Sequence, residues 1–187
     1  MTPPTTRTWS RRGHTPVIRV RGRTTRCLSV AALLCCRTGE RPHLINRPRR
    51  HNRRKEARQS FAWTNYRDLL TAAHRQLVAP VVLVWDNLGT HRCAALRDFA
   101  AGQDWLTIFQ LPAYAPELNP VEGIWSLLRR GFTANTAFTT PDHLTQTVRH
   151  GLRTIQYRPD LLQGCLTETD LTIHNRQPTT TTHRQSQ

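Results

Sequence analysis

The chain has 187 residues, a formal net charge of +15, 37% hydrophobic residues and five cysteines. This length allows one domain with a hydrophobic core. The sequence has no 18-residue apolar run and no early apolar h-region, which excludes a membrane-spanning helix and a signal peptide, so we expect a cytoplasmic protein. No C-x-x-C pair occurs, which argues against a zinc site or a disulfide framework.

The positive charge is concentrated at the beginning of the chain. Residues 1–58 carry 16 basic and two acidic residues, whereas residues 59–187 carry 11 and ten. Such a basic stretch is typical of proteins that bind nucleic acid. The alternative is a general bias in composition, because Lys55 is the only lysine beside 26 arginines. Residues 1–14 form a basic N-terminal segment without periodicity.

The first half of the chain predicts three strands and one helix. Alternation of apolar and basic residues predicts a half-buried strand over 15–22, and an apolar run predicts a buried strand over 27–36. A shorter strand is predicted over 43–47, followed by a charged loop over 47–58. Apolar residues at helical spacing then predict an amphipathic helix over 63–77.

In the second half, the sequence predicts strands over 81–85 and 106–111. Helices are predicted after them, over 91–101, 120–130 and 141–156. The segment 81–85 is uniformly apolar, as in a central parallel strand. Each of the last two helices begins with a capping residue followed by proline, Asn119-Pro120 and Thr140-Pro141. This order predicts an α/β protein whose antiparallel strands lie on its N-terminal side. We assign 15–157 to the folded domain and 158–187 to a C-terminal extension that is disordered from about residue 175.

Asp86, Asn87 and His91 follow the predicted strand 81–85. In open α/β sheets, ligands bind beyond the carboxyl ends of parallel strands, so Asp86 is well placed for a ligand or a metal. Asp86-Asn87 is equally an ordinary turn sequence. His91 either contacts substrate phosphate, together with Asn87, or anchors its own loop.

Glu122 lies in the first turn of the predicted helix 120–130. There it is predicted as the acidic member of a capping box with Asn119, as a rigidly held ligand at the edge of the sheet, or as both, since the two roles are not exclusive. The sequence leaves both roles open.

The segments VVLVWDNLGTH at 81–91 and LPAYAPELNPVEGIWSLLRR at 111–130 resemble the second half of the DDE catalytic domain of mariner-like bacterial insertion-sequence transposases. The family pattern is a strand ending in Asp-Asn, a following His, then Pro-x-Tyr-x-Pro-x-Leu-Asn-Pro-x-Glu and a Trp three residues on. The matching residues are Asp86, Asn87, His91, Pro112, Tyr114, Pro116, Leu118, Asn119, Pro120, Glu122 and Trp125. The resemblance extends from 7–9 to about residue 155.

The resemblance implies an RNase H-like fold, a mixed sheet flanked by helices, in which three carboxylates hold two Mg²⁺ ions that cut DNA and join its strands. By resemblance, Asp86 is the second of these catalytic, metal-binding carboxylates and Glu122 the third. Candidates for contact with DNA are Asn87, His91, Asn119, Arg129 and Arg130. The expected partners are DNA and further transposase copies, in a homodimer or in a mixed oligomer with full-length transposase, and no membrane.

The first carboxylate of the family should precede the stretch RTWSRRGHTP at 7–16, yet residues 1–39 contain no Asp or Glu. We therefore expect a truncated transposase domain that lacks its first central strand and is inactive. We also expect no helix-turn-helix region. One alternative is a non-catalytic DNA-binding remnant or regulator of a full-length transposase. Another is an unproductive fragment, or the downstream frame of an element translated in two pieces.

Overall fold

A computed structural model describes residues 7–17, 28–50 and 61–170. Within them, strands and helices follow one another as β1 Leu28–Cys35, β2 His43–Arg50, α1 Trp63–Leu77, β3 Val81–Trp85, α2 Ala94–Ala101, β4 Leu106–Gln110, α3 Pro120–Leu128, α4 Pro141–Gln156 and α5 Pro159–Thr167. A 3-10 turn, Pro116–Leu118, precedes α3, and a π-helical turn, Arg129–Thr133, follows it. The predicted α/β class is confirmed.

The strands pair in both directions, as the sequence predicts. β1 and β2 are antiparallel, from Leu28 opposite Arg50 to Cys35 opposite His43. β3 and β4 are parallel, with Val81 beside Leu106. Among the described residues these pairs form two separate two-stranded ladders. The predicted strand over 15–22 falls largely outside the described residues, and its first residues, 15–17, are exposed and belong to no strand.

β2 extends further than the sequence indicates. The charge run from residue 47 was predicted as a loop, but residues 47–50 continue the ladder with β1. Tertiary contacts hold this basic end in place, because Arg49 donates to the side-chain oxygen of Asn65 and Arg50 forms an ion pair with Asp142. The remainder of that run, 51–58, and the tail from 171 lie outside the described residues.

The predicted helices are confirmed with small shifts in their bounds. α1 has the predicted bounds, while α2 begins at Ala94, so that His91 lies in the turn before it. α4 buries its predicted apolar stripe and is capped by Thr140, whose hydroxyl accepts from the His143 N–H at 3.1 Å. α5 was not predicted as a separate helix, and it lies in the segment that was assigned to a C-terminal extension.

Two main apolar clusters form the core. One lies among β2, α3, α4 and α5, and includes the fully buried residues Leu44, Ile124, Leu152, Ile155 and Leu162. The other lies between α1, α2 and the β3–β4 pair, and consists of Leu70, Leu83, Trp85, Leu96 and Leu106. The second cluster covers one face of β3 and β4 and thereby fixes where their carboxyl ends lie. None of the described helices is long and apolar enough to cross a membrane.

β3 has the uniformly apolar sequence of a central parallel strand, but one of its two faces is exposed. Val82 and Val84 are 66% and 45% exposed, and Phe109 on the same side of β4 is 57% exposed. Because successive strand residues point to opposite faces, the uniform apolar run cannot show which face is covered. Here α1 and α2 cover the face that carries Leu83 and Trp85.

Candidate active site

Asp86 is the first residue after β3, and the loop fixes one of its two carboxylate oxygens. Oδ1 accepts the Leu88 N–H at 3.0 Å and lies 2.7 Å from Nδ1 of His91. Oδ2 accepts no hydrogen bond from a described residue, and the side chain is 47% exposed. The carboxylate is therefore held in one orientation while its second oxygen has no hydrogen bond from a described residue, as a metal ligand would require.

His91 is an internal support of this loop. Its ring stacks on that of Trp85 at 4.4 Å between centroids and meets the edge of Tyr66 at 4.5 Å. Burial lowers the pKa of His91 below its ordinary value, although the Asp86 carboxylate acts in the opposite direction. In the neutral ring only one nitrogen carries a proton, and the contact with a carboxylate oxygen assigns it to Nδ1, which donates a hydrogen bond to Asp86 Oδ1.

The buried side of the His91 ring leaves polar atoms without partners. His91 Nε2 and Trp85 Nε1 are both inaccessible to solvent and make no hydrogen bond with a described residue. Burial also raises the pKa of Tyr66, with the nearby charge of Asp86 as the second cause. Sequence reasoning missed Tyr66 and Trp85 as parts of the site, because their apolar positions in α1 and β3 marked them only as core.

Asn87 ties the ends of the two parallel strands together. Its side-chain Nδ2 donates to the carbonyl oxygen of Leu111, and the Leu111 N–H donates to the Trp85 carbonyl at 2.9 Å. The segment that leads to α3 thus starts directly beside Asp86. Within the described part of the chain, the Asn87 amide group makes this hydrogen bond and so anchors the loop to Leu111.

Glu122 lies in the first turn of α3, half-buried, and it does not belong to a capping box. Asn119 caps the helix with its side-chain oxygen, which accepts the Val121 N–H at 3.2 Å. The Asn119 N–H donates to the Pro116 carbonyl at 3.0 Å, so it does not reach the Glu122 carboxylate. The capping-box alternative is therefore wrong. The Glu122 carboxylate makes no hydrogen bond or ion pair with another described residue.

Close packing positions α3 and its glutamate. An ideal Cβ on Gly123 would lie 2.8 Å from the Cys165 sulfur of α5, so only glycine lets the two helices approach this closely. Ile124, one residue on, is fully buried. The backbone that carries Glu122 is consequently held between the core and α5.

The two arginines predicted to contact DNA lie at the other end of α3. Arg129 and Arg130 begin the π-helical turn and are both exposed. At 1.5 Å per helical residue, Arg129 is about 10 Å from Glu122 along the helix. They therefore belong to a neighbouring surface.

Asp86 follows β3 and Glu122 lies in the first turn of α3. No hydrogen bond joins their side chains, and the structure brings no three His, Cys, Asp or Glu side chains into a metal-binding group within residues 7–17, 28–50 and 61–170. The described residues thus offer two carboxylates with free oxygens, the ligand type that Mg²⁺ prefers.

The chain matches the family model of DDE superfamily endonucleases over residues 2–145. It is 35% identical over 66 residues to protein y4pE/y4sA of Sinorhizobium fredii (strain NBRC 101917 / NGR234), across 35% of this chain and 46% of that protein. Two similar solved structures are the Mos1 strand transfer complex, 13% identical with a TM-score of 0.46, and the Mos1 mariner paired end complex with Mn, 14% identical with a TM-score of 0.49. Each match covers 92% of this chain and 52% or 53% of the Mos1 chain. The chain spans about half the length of these relatives.

Proposed function

The chain belongs to the DDE superfamily endonucleases, and from this premise we propose that it acts in DNA cleavage and strand transfer as a transposase, with Asp86 and Glu122 as catalytic, metal-binding carboxylates. The proposal rests on the hydrogen bonding of these two side chains. Asp86 has one oxygen fixed by the loop and one free, and Glu122 is not used as a helix cap.

An RNase H-like fold is part of this proposal. The order of the described elements supports it, because an antiparallel pair is followed by strands that alternate with helices and run parallel. In such α/β arrangements, side chains just beyond the carboxyl ends of parallel strands form the site. Asp86 occupies this position on β3, and the segment leading to Glu122 leaves from the same end of β4.

Mg²⁺ is the proposed metal. Bound there, it would neutralise charge on the attacking and leaving oxygens of a DNA phosphodiester. Asp86 and Glu122 would hold it, with other ligands supplied by water, by substrate phosphate or by residues outside the described part. His91 acts as a positioning residue that holds Asp86 Oδ1, and Asn87 keeps the loop against β4.

Binding of Mn²⁺, followed by electron paramagnetic resonance of the free ion, tests the metal site without requiring turnover. We expect Asp86→Asn and Glu122→Gln each to weaken Mn²⁺ binding at least about tenfold. Asp98→Asn and Glu117→Gln are matched controls, since both residues are exposed carboxylates in nearby elements. Equal Mn²⁺ affinity in all four variants would contradict the proposed site.

Nicking of supercoiled DNA gives a second readout. Mg²⁺-dependent nicking that is lost in Asp86→Asn and Glu122→Gln, and kept in Asp98→Asn, would establish an active enzyme and contradict the expectation of an inactive domain. Nicking that persists in both site variants would show that the activity comes from elsewhere.

A non-catalytic DNA-binding role is the second candidate, and the positive charge of residues 1–58 favours it. Binding of this type is sequence-independent and weakens steeply with salt. DNA binding without any Mn²⁺ site at Asp86 and Glu122 would support this candidate over the enzyme. In either case we propose DNA as the partner and the cytoplasm as the location, while assembly into a dimer or a mixed oligomer stays a prediction from the resemblance.

A further inference from the structure

A basic surface lies on α4 and on the π-helical turn that follows α3. We define it as the α4 basic face, formed by Arg129, Arg130, Arg149, His150 and Arg153. All five residues are exposed. They come from two segments, with 18 residues between them in sequence, that pack against each other.

Close packing holds the π-helical turn against α4. An ideal Cβ on Gly151 of α4 would lie 2.7 Å from Leu128 Cδ1 and 2.8 Å from Phe132 Cγ. The Phe132 ring also meets the His150 ring, with 6.0 Å between centroids. Arg129 and Arg130 lie between Leu128 and Phe132 in sequence, so the backbone that carries them is held close to α4.

Some of the described arginines form ion pairs and others do not. Four arginines elsewhere form ion pairs with nearby acids: Arg37 with Glu40, Arg50 with Asp142, Arg67 with Asp68 and Arg158 with Asp160. Those of the α4 basic face form no ion pair with a described residue. The one acidic residue of α4, Asp142, lies in its first turn and is bound to Arg50. Their positive charge is thus left uncompensated.

An exposed aromatic ring extends the face. Tyr157 is 69% exposed at the end of α4, and the Arg153 guanidinium lies 5.9 Å from the centre of its ring. Arginine next to an exposed aromatic ring is a common arrangement where proteins contact nucleic acid, because guanidinium groups bind phosphate and rings stack on bases or sugars.

We propose that the α4 basic face binds the phosphate backbone of DNA without sequence preference. Arg149 and Arg153 are one helical turn apart, about 6 Å, and so present two guanidinium groups in a row to a polyanion. The choice of DNA, in preference to an acidic protein, rests on the proposed function. The charge and geometry of the face do not depend on the Asp86 and Glu122 carboxylates.

Fluorescence anisotropy with a labelled 30-base-pair duplex of arbitrary sequence tests the proposal, in EDTA and over a series of salt concentrations. The test variant is Arg149→Gln/Arg153→Gln in the full chain. The control is Arg75→Gln/Arg97→Gln, which removes the same charge from exposed positions on α1 and α2. Because all four side chains are exposed, we expect the same melting temperature for every variant.

We expect the test variant to bind about tenfold more weakly at low salt, and its slope of log affinity against log salt to fall by about 2, since each phosphate contact contributes about 0.9. The control should change neither quantity appreciably. Equal losses in both variants, or none in the test variant, would overturn the proposal. Equally strong binding of polyglutamate to the intact chain, lost in the test variant, would assign the face to an acidic protein instead.

The EDTA condition separates this proposal from the proposed function. Asp86→Asn is expected to bind the duplex as the unchanged chain does, because the metal site does not contribute in EDTA. If Mn²⁺ binding proves independent of Asp86 and Glu122 while the anisotropy result stands, the proposed function fails and the DNA-binding face remains.

Discussion

Nδ1 of His91 lies 2.7 Å from Oδ1 of Asp86, and the same imidazole ring stacks on Trp85, the last residue of β3. One side chain therefore links the core to the carboxylate that follows the strand. The polar link fixes the orientation of Asp86, whereas the stacked ring fills space against Tyr66 and Trp85. These two contributions can be separated by substitution.

Replacement of His91 by Phe keeps the ring and removes the hydrogen bond to Asp86. We expect Mn²⁺ affinity to fall about tenfold, because partners that orient a metal ligand usually contribute that much. The free energy of unfolding should stay within about 1 kcal/mol of the original, since the variant also removes the buried, unpartnered Nε2. Chemical denaturation and Mn²⁺ titration measure the two effects.

His91→Ala is the control, because it removes both the ring and the hydrogen bond. It should destabilise the chain by about 3 kcal/mol through the cavity it leaves. Unchanged Mn²⁺ affinity in a well-folded His91→Phe chain would show that His91 only supports the loop.

Asn119 and Glu122 are predicted to differ in their contribution to stability. Asn119→Ala removes the N-cap of α3 and should lower the free energy of unfolding by about 1 kcal/mol. Glu122→Gln should change it by less than about 0.5 kcal/mol, the range of substitutions away from such features. Urea unfolding of both variants checks this. A loss in Glu122→Gln as large as that in Asn119→Ala would indicate a structural role for the glutamate.

Gly151 is predicted to be intolerant of even a methyl group. Alanine there would overlap Leu128 and Phe132, which lie 2.7 and 2.8 Å from the added Cβ, and should destabilise the chain by about 1–3 kcal/mol. Gly164→Ala in α5 is the control, because nothing lies within 4 Å of its Cβ position. That change should stabilise the chain by roughly 0.5–1 kcal/mol through its helical propensity. Thermal denaturation of the two variants should give shifts of opposite sign.

The Cys35 thiol is predicted to react slowly with alkylating reagents. Burial, with the neighbouring Cys36 as a smaller cause, raises its pKa from 9.0 to about 11. Since only the thiolate reacts, alkylation by iodoacetamide at pH 8 should be about 100-fold slower in the folded chain than in urea. Mass spectrometry of peptides after timed labelling measures this. Equal labelling rates in buffer and in urea would show that β1 opens readily.

The sequence determines most of the local structure of this protein. The period of the apolar residues defines α1 over 63–77, and a capping residue followed by proline marks the starts of α3 and α4. The apolar run before Asp86 defines β3. These features are set by neighbouring residues through backbone sterics and helix or strand periodicity, so they can be deduced without tertiary contacts.

The tertiary structure decides which of these residues acts and how. It extends β2 to Arg50 through Asp142 of α4, exposes Val84 on β3, and places His91 behind Asp86. It also frees Glu122 from the cap that its spacing from Asn119 indicates, because the Asn119 N–H is bound by Pro116 instead. Each of these outcomes depends on which groups meet once the chain is packed, and the pattern of residues along the sequence does not show which groups will meet.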